Sequence, residues 1–146
     1  VDMNFSINSS KAGNSINKQM ENLVSKNNLE YEKLEKKLLE EEKNIIKKKN
    51  VLDAQKYEAE VLAFRNKINN FKSERRNKVE TISKKNVDAK NELVKIITKI
   101  LAEYSAKNEI SLVLNKESII LGKKTIDISD NILELLNDEI KNIKLK

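Results

Sequence analysis

Residues 31–64 read YEKLEKKLLEEEKNIIKKKNVLDAQKYEAEVLAF, and this stretch decides the fold. Up to Leu52, apolar residues recur at alternating steps of three and four, as in helices that pack along a narrow apolar seam. The phase slips at residues 50–53 and resumes in a new register from Tyr57. Asp53 can N-cap a second helix, because its carboxylate accepts amide hydrogens of the first turn. The sequence therefore predicts helices of about 12–50 and 53–107 in an antiparallel hairpin some 60 Å long. One continuous helix in a parallel coiled coil is the alternative.

The sequence around this stretch contains few residues that would end a helix. The chain has no proline, and its two glycines, Gly13 and Gly122, bracket 108 residues that contain neither helix breaker. Charged residues make up 36% of the chain and aromatic residues 4%, which predicts one small domain plus an extended arm. Three polar residues fall at or beside apolar seam positions: Asn27, Arg75 and Asn86.

Both ends of the chain show the two-residue period of strands. VDMNFSIN alternates strictly at residues 1–8, and residues 110–114, 118–121 and 125–128 predict further short strands separated by turns. Ser129 is expected to cap a last helix whose apolar side includes Ile140 and Ile143. We therefore expect residues 1–11 and 108–146 to form a small β body with a C-terminal helix, and residues 12–107 to form the arm. Short strands need a partner for stability, so we predict oligomerisation through Met3, Phe5, Ile110, Leu112, Leu114, Ile119 and Leu121.

This order of elements resembles the Skp/OmpH family of periplasmic chaperones. Ile110 to Asn115 are similar to the family's "(I/Y)DLVLD" strand, with Ser111 where Asp is usual, and residues 126–129 are similar to its "(I)DIT" segment. Ser9 to Gly13 are similar to its small-residue entry to the first helix. Gly122-Lys123 departs from a frequent Ala-Asp. The resemblance implies a jellyfish-like trimer with helical tentacles around a cavity, and ATP-independent holding of unfolded outer-membrane β-barrel proteins. It also implies a periplasmic location, with a signal peptide removed.

Much other chemistry is excluded or disfavoured by composition. The chain has no His, Cys or Trp, which excludes imidazole bases, thiol nucleophiles and zinc sites with His or Cys ligands. Two isolated glycines cannot form a phosphate-cradling loop. We therefore expect no enzyme activity, cofactor or metal.

The excess positive charge lies on the arm. Residues 11–107 carry 23 Lys or Arg and 15 Asp or Glu, a net charge of +8. We predict diffuse contacts with clients from the clustered residues Lys47, Lys48, Lys49, Arg75, Arg76, Lys84 and Lys85. Anionic lipid headgroups are a second candidate partner, and nucleic acid is disfavoured because acidic residues are interspersed and no aromatic platform exists. The alternative functions are a structural stalk or tether and a prefoldin-like cytosolic chaperone, in which strands would interrupt the middle of the helical chain.

Overall fold

The computed structural model describes residues 1–145, which are predominantly helical. Within this range the four α-helices are α1 (Met3–Ser9), α2 (Lys11–Lys47), α3 (Ala54–Lys107) and α4 (Ser129–Glu139). Short 3₁₀ turns span Lys48–Asn50, Lys116–Ser118 and Lys124–Ile126. The chain divides into two compact units, a first unit of Val1–Glu21 with the described residues from Lys84 onward, and a second unit of Asn22–Ser83.

The predicted helices and the turn between them are confirmed to within a few residues. α2 ends at Lys47, and the Val51 amide donates to the carbonyl of Lys48 at 3.0 Å as the chain turns. Asp53 then caps α3, because its Oδ1 accepts from the Lys56 amide at 2.9 Å. The Asp53 carboxylate also pairs with the Lys56 side chain at 3.0 Å, and together these bonds lower the pKa of Asp53.

In the second unit, α2 and α3 run antiparallel along the predicted seam. Tyr31, Leu38 and Ile82 are buried there. The rings of Tyr31 and Phe71 lie 5.6 Å apart at 60°, a tilted geometry that aromatic pairs favour. Asn27 is also buried, and its Oδ1 has no hydrogen-bond partner among residues 1–145. The seam is thus mainly apolar, with a buried polar residue at Asn27.

The first unit has the larger apolar core. Its buried cluster contains residues from α2, α3, α4 and both ends of the described chain: Val1, Ala12, Ile16, Ala89, Leu93, Ile97, Ile100, Ile132, Leu136 and Ile143. The junction of α1 and α2 is tight, since Gly13 lies directly under the carbonyl of Ile7. The Ser10 hydroxyl donates to that carbonyl at 3.1 Å and accepts from the Gly13 amide at 3.0 Å, which caps α2.

The predicted N-terminal strand is wrong, because residues 3–9 form helix α1. Asp2 caps it by accepting from the Phe5 amide at 2.8 Å, and the Ser6 hydroxyl donates to the carbonyl of Asp2 at 2.9 Å. Such short polar side chains make local bonds that favour a helix start over a strand. Met3 and Ile7 then pack against the core on one helical face, whereas Phe5 is 37% exposed.

The other predicted strands are also absent among residues 1–145. Residues 110–115 contain one strand-like link, in which the Val1 amino group donates to the carbonyl of Leu114 at 3.0 Å and the Lys116 amide donates to the carbonyl of Val1 at 2.8 Å. One paired residue is too short to make a ladder. A turn does occur at Lys116–Ser118 as expected, but the 3₁₀ turn at Lys124–Ile126 occupies part of the predicted third strand.

Helix α4 begins where predicted but is capped differently. The N-cap residue is Ile128 rather than Ser129, and the carboxylate of the preceding Asp127 accepts from the Ser129 amide at 3.0 Å and from the Ser129 hydroxyl. The Ser129 oxygen instead accepts from the Asp2 amide at 2.7 Å, and this bond ties α4 to the start of α1. The helix ends at Glu139, so Ile143, predicted on its apolar side, is buried from outside the helix.

Candidate functional site

The basic residues predicted to contact clients lie in both units. In the second unit, Lys47 ends α2, Lys48 and Lys49 lie in the following turn, and Arg75 and Arg76 lie in α3. Arg75 faces Tyr31, which precedes Lys47 by sixteen residues along α2, or about 24 Å. Lys84 and Lys85 belong to the first unit. The structure therefore presents these residues as separate positions rather than one basic cluster.

The turn region of the second unit combines paired and unpaired lysines. Lys48 donates to both carboxylate oxygens of Glu60 at 3.0 Å. Lys47 and Lys49 are exposed and form no ion pair with any of residues 1–145. Residues 43–67 carry seven Lys or Arg and only three Asp or Glu. This end of the hairpin therefore has a positive potential that attracts acidic or anionic partners and is screened by salt.

Arg75 has a structural contact that accounts for its place at the seam. Its guanidinium carbon lies 5.9 Å from the centroid of the Tyr31 ring, within the range of a cation–π interaction. Arg76, the next residue, is exposed. Of the two predicted arginines, Arg76 is thus the one whose side chain is not engaged with the seam.

An open apolar groove lies beside this positive region, within the second unit. The groove has a volume of about 480 Å³, and its walls come from the last turns of α2 and the first turns of α3. The lining residues are Glu42, Ile45, Ile46, Tyr57, Val61, Phe64, Arg65, Ile68 and Asn69. Ile46 and Leu62 are 58% and 60% exposed, and Val51 in the turn is 81% exposed. Such a surface offers shallow contacts to apolar side chains without a deep pocket.

The residues predicted to mediate oligomerisation lie in the first unit with unequal exposure. Leu112, Leu114 and Leu121 are exposed, at 71%, 50% and 92%. Met3 packs against the core, Phe5 is exposed, and Ile110 and Ile119 are half-buried. Met3 and Leu114 line one shallow groove together with Leu101 and Val113. Ile120 and Ile126, which were not among the predicted residues, are also exposed, at 104% and 64%.

Gln19 is a residue whose role the sequence did not reveal. Its side-chain amide donates to the carbonyl of Ile143 at 2.7 Å and accepts from the Leu145 amide at 3.3 Å. A glutamine on a charged helix ordinarily faces solvent, and no spacing rule distinguishes this one. Only the position of residues 140–145 beside α2 identifies it.

The structure offers no site for metal chemistry among residues 1–145. No group of three or more acidic side chains there is arranged to hold a metal ion. None of the helices in the described part is both long and apolar enough to cross a membrane. What the two units present instead is exposed apolar surface next to positive charge.

Comparison with known proteins supports a family assignment. The family model of outer membrane proteins (OmpH-like) matches residues 1–136. None of the curated proteins matches the sequence. A crystal structure from Caulobacter crescentus CB15, described as an OmpH-like outer membrane chaperone, superimposes with a TM-score of 0.89 at 17% identity. The alignment covers 95% of this chain and 82% of that one, and at such low identity it establishes a shared fold. Because the family model spans most of the sequence, the chain belongs to the OmpH-like outer membrane protein family.

Proposed function

We propose that the protein is an ATP-independent holdase that captures unfolded outer-membrane β-barrel proteins in the periplasm and prevents their aggregation. The family and its structural relative support a chaperone role. The observation that carries the finer proposal is the open groove of the second unit, which is lined by Phe64 and by Ile45, two residues before the unpaired Lys47.

The groove suits a client that has no fixed structure. Strands of outer-membrane barrels alternate apolar and polar residues, so an unfolded barrel presents apolar side chains singly along a flexible chain. A shallow groove can take such side chains one at a time, and each contact is weak. The surrounding lysines raise the encounter rate with acidic segments without requiring a particular sequence. Many weak contacts retain a client and still allow it to leave.

Assembly multiplies these contacts. We propose a homotrimer in which residues 1–11 and 108–146 form the joint and residues 12–107 form the arms. The arms of three chains would enclose the client and together carry a net charge of about +24, from +8 on each. The exposed Leu112, Leu114 and Leu121 are the apolar surface that assembly would cover. Anionic lipid headgroups are a further candidate partner of the same positive surface.

The test is suppression of aggregation of an outer-membrane β-barrel protein diluted from urea. The wild-type protein should suppress aggregation without ATP, and the effect should weaken as ionic strength rises from about 10 mM to 500 mM. Reversing charge at Lys47, Lys48, Lys49, Arg75 and Arg76 together should reduce capture several-fold and leave assembly intact.

A matched control separates position from net charge. Reversal of five exposed lysines in the first unit changes the total charge equally: Lys11, Lys18, Lys95, Lys99 and Lys107. We expect this control to retain most of the capture, and equal losses in the two variants would show that only net charge matters. A requirement for ATP, or no suppression at low salt, would contradict the holdase proposal and favour a structural stalk.

A further inference from the structure

Residues 140–145, the tail segment, lie on the first unit beyond the residues that the family model matches. The segment forms no helix or strand, and it leaves α4 in an extended conformation at Ile140. Ile143 is 3% exposed and belongs to the same buried cluster as Ile16 and Leu93. Ile140 and Leu145 pack against that cluster. The tail segment thus occupies an apolar site rather than lying in solvent.

The side chain of Gln19 forms hydrogen bonds with the backbone of the tail segment. Its amide donates to the carbonyl of Ile143 and accepts from the amide of Leu145, two groups that flank Lys144. A neighbouring strand in a parallel ladder makes the same pair of bonds to residues two apart. The Gln19 side chain therefore substitutes for one link of a strand. Because these two bonds go to backbone atoms, they do not depend on which side chains the bound segment carries.

The side chains of the tail segment alternate in the manner of a strand. Ile143 is buried and Leu145 half-buried, whereas Asn142 and Lys144 are exposed. The Asn142 side chain lies at the edge, where it accepts from the Ser15 hydroxyl at 3.0 Å and from Gln19 at 3.3 Å. The site thus takes an extended segment with apolar residues two apart. Strands of outer-membrane barrels have that alternation.

We propose that the face of α2 around Gln19 is a binding site for extended polypeptide, which the tail segment fills in cis and a strand-forming segment of an unfolded β-barrel client fills in its place. The proposal rests on the chaperone function proposed above. A tethered segment has an effective concentration in the millimolar range, so the tail segment excludes isolated weak ligands. A client already held elsewhere on the chaperone gains the same advantage and can displace it. The tail segment thereby restricts the site to clients that have been captured.

The test locks the tail segment in place. The chain has no cysteine, so a Ser15→Cys, Asn142→Cys double variant carries a single thiol pair where the native side-chain oxygens lie 3.0 Å apart. Oxidation, or a short bis-thiol crosslinker, gives the locked form, and reduction gives the open form of the same protein. The probe is a fluorescein-labelled peptide, DEIKNIKLK, with the sequence of residues 138–146. Ser15→Cys alone, treated identically, controls for the reagents.

We expect the open form to bind the peptide at least about tenfold more tightly than the locked form by fluorescence anisotropy. Gln19→Leu should be compared in an Ile143→Asp background, where the tail segment no longer competes for the site. There it should weaken binding of the peptide about tenfold, since both backbone hydrogen bonds to the peptide are lost. An outer-membrane β-barrel protein diluted from urea should displace the bound peptide. Equal binding by the locked and open forms would overturn the proposal, as would bound peptide that the client cannot displace.

A second measurement distinguishes this inference from the proposed function. Wild-type protein is first assayed for suppression of client aggregation, and the locked and open forms are then compared. If the wild-type protein suppresses aggregation and the two forms do so equally, the inference fails while the holdase function stands. If the wild-type protein does not suppress aggregation, the holdase function fails. The peptide comparison then still reports whether the tail segment can be exchanged for another extended segment.

Discussion

Gly13 is required by a close backbone contact between α1 and α2. A Cβ placed on it would lie 1.7 Å from the carbonyl oxygen of Ile7, a distance that side chains cannot tolerate. The obstacle is backbone, so no rotamer change relieves it. We expect Gly13→Ala to lower the free energy of unfolding by about 3 kcal/mol or more, measured by urea denaturation.

The other glycine provides the control. A Cβ on Gly122 would meet the end of the flexible Ile126 side chain at 3.3 Å, and its φ is not positive. Gly122→Ala should therefore change the free energy of unfolding by no more than about 0.5 kcal/mol. Equal effects of the two substitutions would contradict a steric conflict between residue 13 and the carbonyl of Ile7.

Asp127 should make stability depend on acid pH. Its pKa is lowered by the hydrogen bond from Lys116 at 2.7 Å and by those from the Ser129 hydroxyl and amide. A carboxylate with a lowered folded-state pKa stabilises fully above its unfolded pKa of about 3.9, and this contribution is lost progressively as the pH falls from that value through the lower folded-state pKa. We expect Asp127→Asn to lower the free energy of unfolding by about 1 kcal/mol at pH 7, measured by urea denaturation.

The difference between wild-type and Asp127→Asn proteins should shrink as the pH is lowered from about 5 to 2. Asp88→Asn is a suitable control, because Asp88 is exposed on α3. If the difference in the free energy of unfolding stayed constant across this range, Asp127 would stabilise the fold through packing or neutral hydrogen bonds rather than through its charge.

Among the elements, the seam of the second unit contains a buried defect at Asn27. Its Oδ1 is buried without a partner among residues 1–145, and leaving such a group unsatisfied costs about 1–3 kcal/mol. Replacing it with an apolar side chain removes that penalty. Asn27→Leu should therefore raise the thermal midpoint by several degrees, measured by circular dichroism. Asn28→Leu, at an exposed neighbouring position, should leave the midpoint nearly unchanged.

The helices of the hairpin were predictable because local signals agreed. The seam period, the phase slip and the Asp53 cap all indicated the same two helices, and α2 and α3 confirm them. At residues 1–8 the signals competed. Strict alternation favoured a strand, whereas the side chains of Asp2 and Ser6 can form hydrogen bonds with the nearby backbone. The structure contains those bonds and a helix. An alternation of apolar and polar residues over eight positions therefore does not distinguish a strand from a helix when the polar residues, such as Asp and Ser, can cap a helix.

The candidate surfaces were predictable in composition but not in arrangement. Charge counting located Lys47 to Lys49, and the structure adds that Lys48 is paired with Glu60 while its neighbours are not. Gln19 could not be found, since its role depends on a segment more than 120 residues away. Contacts of that kind arise from tertiary packing and leave no local pattern in sequence.

At the scale of the whole molecule, the exposed apolar residues of the first unit require an explanation. Leu112, Ile120 and Leu121 are each more than two-thirds exposed, although all lie within ten residues of one another. Several large apolar side chains exposed within one short segment are a candidate interface. The backbone is extended at Asn115 and Ile119, on either side of the 3₁₀ turn, and Leu114 makes a strand-like link to Val1. Both properties fit a segment whose apolar side chains and backbone groups are covered by other copies of the chain.

This leads to a prediction that separates folding from assembly. Because Leu112 is 71% exposed in the single chain, an aspartate there meets solvent before assembly and need not disrupt the helices. In an assembled body the same charge would be buried without a partner, which is strongly unfavourable. Leu112→Asp should therefore abolish the oligomer in sedimentation at micromolar concentration while retaining most of the helical circular dichroism signal. Val87→Asp, a comparable change at a 52% exposed site on α3, should leave the oligomer intact. A wild-type protein that sediments as a folded monomer would contradict the assembly on which the enclosing arms depend.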